Sequence, residues 1–242
     1  FAGTEYLFLV FINVLVGTFA CDTGAYAVGR MFGTHRFAPN LSPNKTIEGL
    51  IGGFLIGIDQ PPLERVIRPT VKGLAARGTP YQGVLYAGLM LTSDGPKLVE
   101  YNARFGDPET QVMMMRMESD LLPLLHATAT GTLAGHDVAW KDQYALTVIM
   151  ATQGYPGSYG KGSEIRGAEG IDSDILQVFH AGTQRDGARL LAAGGRVLNV
   201  TALGGTVKEA QSRAYAGVDR IVWPEGFCRR DIGWREIART TS

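Results

Sequence analysis

Neither sign of charge is in excess in this 242-residue chain: 23 lysines and arginines balance 23 aspartates and glutamates. That balance excludes a nucleic-acid clamp and an acidic interaction tail. Cysteine is scarce. Cys21 and Cys228 stand alone and far apart, which excludes a disulfide framework and suits a reducing compartment. The four histidines show no ligand spacing with them. No repeat of roughly 20–50 residues is present, so solenoids and propellers are excluded. A basic stretch ahead of the first apolar run is missing, which argues against a cleaved signal peptide, and the opening Phe1 suggests that the true start lies upstream. The length suits one large domain or two small ones.

Charge is also absent from one long run, "YLFLVFINVLVGTFAC", Tyr6 to Cys21. As a helix it extends roughly 24 Å, short of a ~30 Å hydrocarbon core. It spans a membrane only if the helix continues through "DTGAYAVG" to Arg30. Asp22 then lies at membrane depth, where a carboxylate costs about 3 kcal/mol or more and marks a function. The alternative is a buried helix of a soluble core with Asp22 at its end.

"DTGAYAVGRMFGTHRFAPNLSPNKTIEGLIGG", Asp22 to Gly53, resembles the phosphatidate cytidylyltransferases, membrane enzymes that make CDP-diacylglycerol. The resemblance covers about the first 57 residues. It implies that Asp22 belongs to a metal-assisted nucleotidyl-transfer site, beside a basic loop holding Ser42, Pro43, Lys45 and Thr46. The downstream signature of that family, with its lysine and paired aspartates, does not follow.

The chain then changes character. "PPLERVIRPTVKGLAARG" places Leu63, Val66, Ile67, Val71, Leu74 and Ala75 at helical spacing, with Pro69 inside the pattern. A kink or a late helix start is expected there. "GVLYAGLML", "TSDGP" and "KLVEYNARF" read as strand, turn and strand, with Asp94-Gly95 as the hairpin signal. Side chains alternate along a strand, so Leu98, Glu100, Asn102 and Arg104 are expected on one face and Val99, Tyr101 and Ala103 on the other. Glu100 and Asn102 offer two hard oxygens about 7 Å apart along the backbone, suited to Mg²⁺. Arg104 continues the row as a phosphate ligand. The bland alternative is the wet face of an edge hairpin. Asp107 reads as a helix N-cap and Pro108 as the first helical residue, which points free N–H groups at an anion or polar substrate. The methionines of 113–117 read as core filling.

"GVLYAGLMLTSDGPKLVEYNARFGDPETQ", "GYPGSYGKG", "VFHAGT", "GGRVLNVTALG" and "FCRRDIGWREI" together resemble the phosphoribosylamine–glycine ligases, ATP-grasp enzymes of purine synthesis. This resemblance covers roughly residues 62–242. It implies ATP and Mg²⁺ (or Mn²⁺) as cofactors and glycine, 5-phosphoribosylamine and ATP as small-molecule substrates. By the same resemblance Glu100 and Asn102 bind the metal, Arg104 faces phosphate, and Asp107 shapes the substrate side. Lys161, in the glycine-rich loop, either reaches a phosphate or is a solvated loop lysine.

Downstream, "YALTVIMAT", "ILQVFHAG" and "RVLNVTALG" are strand candidates. Thr206 and Glu209 form a capping box for the helix after Gly204-Gly205. His180 is expected to be a strand residue that packs or hydrogen-bonds.

The expected fold class is α+β: the C-terminal half of an ATP-grasp domain and a small β-rich domain, preceded by a membrane-type helical segment. The expected divisions are 1–58, 59–138 and 139–242. Residues 62–242 are expected to be cytoplasmic, with membrane contact through 1–57 and no nucleic-acid partner. Three functions follow: a ligase part that is inactive alone because its N-terminal half is missing, a cytidylyltransferase part, or a chimeric chain without activity.

Overall fold

The computed structural model describes residues 63–92 and 95–241. Tyr6–Cys21, Asp22 and the cytidylyltransferase-like stretch lie outside the described residues. No helix among the described residues is long and apolar enough to cross a membrane. The described chain groups into two compact units. One holds the residues up to Gly106 together with Ser119–Val138; the other holds Asp107–Glu118 and the chain from Ala139.

The first unit opens with a π-helical turn, Leu63–Ile67, that runs into helix α1, Arg68–Ala76. Pro69 sits in the first turn of α1. The chain is helical from Leu63, ahead of the late start that the proline led one to expect, and the spacing changes from π to α just before Pro69, which has no N–H to donate. Strands β1 (Tyr86–Thr92) and β2 (Gly95–Asn102) form an antiparallel hairpin. Gly95 pairs with Thr92, so it is the first residue of β2 rather than part of the turn. One side of the hairpin packs on the helix. Val66, Ile67, Leu85 and Ala87 are buried, with Val71, Tyr81, Leu89 and Tyr101 against them. Tyr101 fixes this packing: its hydroxyl meets Thr70 Oγ1 and donates to the Val66 carbonyl at 3.2 Å. Helix α3, Leu121–Thr130, is capped by Asp120, whose carboxylate accepts from the Leu122 N–H at 3.0 Å. Gln82 donates to the carbonyls of Thr128 and Ala129 at the other end of that helix.

The second unit is built on a four-stranded antiparallel sheet, in the order β5 (Leu176–His180), β8 (Arg196–Gly204), β3 (Tyr144–Thr152), β9 (Gly226–Cys228). The three runs foreseen as strands beyond residue 140 are three of these four. Strand β8 is central and buried along Val197–Gly204, on both of its faces. Two helices explain that burial: α2 (Glu109–Arg116) and α4 (Val207–Arg220) both pack on β3 and β8. On α4 the buried Ala210, Ala214, Gly217 and Val218 recur at helical spacing. Small residues bring the helix close: a Cβ at Gly217 would stand 2.9 Å from Val200 Cγ1. On α2, Met113 and Met115 are buried, the core-filling role expected of them. A second sheet, β4 (Glu164–Ile165), β7 (Arg189–Ala192), β6 (Thr183–Asp186), is small and antiparallel. The chain closes with α5, Trp234–Thr241.

The capping box holds at the start of α4. Thr206 Oγ1 accepts from the Glu209 N–H at 3.1 Å. The Glu209 carboxylate reaches back to the N–H of Gly205, one residue before the cap, at 2.7 Å.

Candidate functional site

The hairpin brings Glu100 and Asn102 together. Asn102 Nδ2 donates to Glu100 Oε1 at 3.1 Å, so the two side chains lie side by side. Glu100 is exposed, and Tyr101 between them turns to the helix. The alternation expected at 100–102 is thus present, and it separates the packing face from the polar one. Opposite Glu100 stands Gly88. A Cβ at Gly88 would lie 3.0 Å from Glu100 Cγ, so the glycine makes room for the glutamate stem.

Strict alternation fails on either side of the pair. A bulge breaks the register: Leu89 faces Leu98 and Gly88 faces Glu100, which leaves Val99 without a partner. The expected sharing of one face by Leu98 and Glu100 is interrupted there. Beyond the pair, the strand ends at Asn102. Arg104 therefore does not continue the row: it lies past the last strand residue, exposed, and its Nη1 donates to the Phe105 carbonyl at 2.7 Å.

Asp107 differs from expectation too. Helix α2 starts at Glu109 with Pro108 in the cap position, and no side chain caps it. The Asp107 carboxylate is engaged elsewhere, by Arg196 Nη2 at 3.1 Å, while Arg196 Nη1 donates to the Asp107 carbonyl at 3.1 Å. Both side chains are a little over one third exposed, at 37% and 38%. Arg196, at the start of β8, thus holds Asp107 in place. Sequence patterns gave no sign of it, because the two are 89 positions apart. Lys161 is exposed in the loop between β3 and β4. That loop depends on Gly154, at φ +96°, where a Cβ would stand 2.3 Å from the Ser158 carbonyl oxygen. His180 is the last residue of β5, its Nδ1 3.1 Å from Thr183 Oγ1. It has the hydrogen-bonding strand role expected of it.

The donor set at Glu100 and Asn102 fits a hard divalent cation: a carboxylate and an amide oxygen, without thiolate or imidazole. A magnesium ion asks for one or two protein oxygens and takes the rest from water and phosphate. Among the described residues no group of three or more His, Cys, Asp and Glu could hold a metal. Nucleophilic chemistry has no support at Cys228. Burial pushes its thiol up, and the nearby Arg230 only partly offsets this. The arginines around it are committed to carboxylates, Arg229 to Asp231 and Arg230 to Asp219.

Three families match parts of the chain. Residues 59–110 match the family "Phosphoribosylglycinamide synthetase, ATP-grasp (A) domain", and residues 145–235 match "Phosphoribosylglycinamide synthetase, C domain". Residues 4–61 match the "Cytidylyltransferase family". A phosphoribosylamine–glycine ligase of Mesorhizobium japonicum is 59% identical over 177 residues, 73% of this chain and 42% of the relative. That of Vibrio cholerae is 52% identical over 73% of this chain and 42% of its own length. Among solved structures, a phosphoribosylamine–glycine ligase from Thermotoga maritima superposes with a TM-score of 0.58 at 32% identity, covering 70% of this chain and 41% of that one. The α+β fold is thus ATP-grasp-like. The chain spans about two fifths of the length of the curated relatives it matches.

Proposed function

With the likeness of residues 59–242 to the phosphoribosylamine–glycine ligases as premise, we propose that this region supplies the metal-binding side of an ATP-dependent ligase. The reaction joins glycine to 5-phosphoribosylamine: ATP phosphorylates the glycine carboxylate, and the amine attacks the glycyl phosphate. The convergence of Asn102 with Glu100, which stands opposite Gly88, carries the reading. These two residues hold Mg²⁺ or Mn²⁺, which neutralises charge on phosphoryl oxygens. Arg104 needs only to exchange its contact with the Phe105 carbonyl to donate to a phosphate. Asp107, held by Arg196, shapes the amine side. Lys161 offers a further charge to phosphate. No protein nucleophile is required. This region is assigned to the cytoplasm.

Phosphoryl transfer needs its phosphates gripped from both sides, and Glu100, Asn102 and Arg104 supply one. Losing the opposing grip costs orientation as well as charge, on the order of several kcal/mol of barrier. The 242-residue chain by itself is therefore expected to show no glycine-dependent ADP release, yet to bind Mn²⁺. Titration calorimetry tests this. Glu100→Ala should weaken Mn²⁺ binding about tenfold or more, and unchanged binding in that variant would refute the assignment.

Residues 1–57 form a second reading, supported by the match to the cytidylyltransferases. We assign them a membrane-associated origin, with Asp22 as a hard oxygen ligand. The full chain should then partition into detergent micelles, and a variant lacking residues 1–60 should not. A full chain that stays monomeric without detergent contradicts it.

A further inference from the structure

The central strand β8 carries a polar side chain that no protein group satisfies. Asn199 is 1% exposed, and neither its Nδ2 nor its Oδ1 has a hydrogen-bond partner. Both ends are unpaired, so exchanging the nitrogen and oxygen of the amide changes nothing. Native cores nearly always supply such a group with a partner, from the protein or from ordered water. The register shows which way Asn199 faces. It stands opposite Ile149, while Arg196 stands opposite Ala151. Ile149 and Ala151 lie two apart on β3 and share a face. The bulge between the two pairs therefore puts Arg196 on the same face as Asn199, two ladder steps or about 7 Å away. Gly217 of α4 meets Val200, so α4 covers the opposite face. Arg196 holds Asp107, just ahead of α2, so α2 covers this one. Gln111 follows Asp107 by four residues, about 6 Å along a helix. Its Nε2 lies 3.5 Å from Asp107 Oδ1, and its buried Oε1 has no partner. The two unsatisfied amides thus belong to the two surfaces of one contact, each one step inward from the Arg196–Asp107 ion pair.

We propose that Asn199 and Gln111 share one buried water, and that this water closes a polar chain from Arg196 through Asp107 and Gln111 to Asn199 that positions the Asp107 carboxylate. The donors and acceptors balance. A water gives two O–H groups and accepts in return. The side-chain oxygens of Asn199 and Gln111 take those two, and Asn199 Nδ2 donates one back. That makes three hydrogen bonds, the usual complement of a buried water. A direct bond from Asn199 Nδ2 to Gln111 Oε1 would leave Asn199 Oδ1 an orphan. With the chain closed, both oxygens of Asp107 are fixed in advance, Oδ2 by Arg196 and Oδ1 by Gln111. Asn199 and Gln111 are then positioning residues, since neither touches substrate. Only the substrate-side role of Asp107 rests on the ligase reading above; the water does not.

The test uses the full 242-residue chain in mild detergent, labelled with nitrogen-15 and carbon-13. In the parent, the Asn199 side-chain amide protons should show a magnetic-resonance cross-peak to a long-lived water. Asn199→Leu and Gln111→Met should each lower the thermal midpoint by about 4 °C or more. The double variant should lose less than the sum, because removing both partners leaves no orphan behind. In each single variant the carboxyl carbon resonance of Asp107 should shift, which a loss of packing alone does not require. The proposal is overturned by a parent without the water cross-peak, or by a raised midpoint in Asn199→Leu, the sign of a dry amide removed. Additive losses in the double variant overturn it as well, and so does an Asp107 resonance that stays in place. If Asn199→Leu does not fold, the cross-peak of the parent and the Asp107 resonance of Gln111→Met decide. Mn²⁺ affinity, which Glu100 and Asn102 set, tests the ligase reading separately and has no bearing on the water.

Discussion

Gly204→Ala should lower the unfolding free energy by about 3 kcal/mol, measured by urea denaturation of the second unit's transition. The added methyl has nowhere to go. It would lie 2.5 Å from the backbone nitrogen of Ala210, 2.9 Å from the Thr206 carbonyl oxygen and 3.0 Å from the Glu209 carbonyl carbon. All three atoms are backbone of the first turn of α4, so relief requires the helix to move off the strand that leads into it. That helix covers β3 and β8, and moving it opens the core. Gly205→Ala provides the contrast. There the nearest atom is the tip of the Glu209 carboxylate at 3.4 Å, a flexible group, and the cost should stay within about 1 kcal/mol. Equal losses for the two variants would mean that the strand-to-helix turn is not as tight as described.

Leu198→Ala should cost a similar amount, about 3 kcal/mol, for a different reason. Leu198 is fully buried on the central strand, paired with Met150 of β3 and His180 of β5. Truncation removes its transfer free energy and leaves a cavity that close-packed neighbours on the sheet fill only in part. Leu122→Ala removes the same atoms from an exposed site and should change stability by no more than about 0.5 kcal/mol. Thermal denaturation of both variants checks the difference.

Much of this architecture is written locally. The run from Arg196 to Gly204 is long, apolar and β-branched, and it is the buried central strand. Thr206 and Glu209 announce a helix start, and the helix starts there. Glu100 and Asn102 could be paired on paper because one intervening residue, Tyr101, is large and apolar enough to claim the packing face. What escaped has physical causes. Strands β4, β6 and β7 are two to four residues long, and "TQRD" has no apolar periodicity to read. The bulge at Val99 depends on where Leu89 and Gly88 sit across the ladder, which no single strand encodes. Asp107 looked like a helix cap because its neighbours are right for one. A distant arginine outbids the helix for its carboxylate, and such competition is a tertiary fact. Arg104 departs from its expected place for a simpler reason: the strand stops two residues earlier than its alternation suggests.

The grouping of Asp107–Glu118 with the chain after Ala139, and of Ser119–Val138 with the chain before Gly106, bears on inheritance. A crossover at the 106/107 junction strips α3 from the first unit. One at 138/139 strips α2 and its buried methionines from the second. No single breakpoint keeps both units whole, so recombination can pass this region on intact only as a block, joined to other sequence outside it.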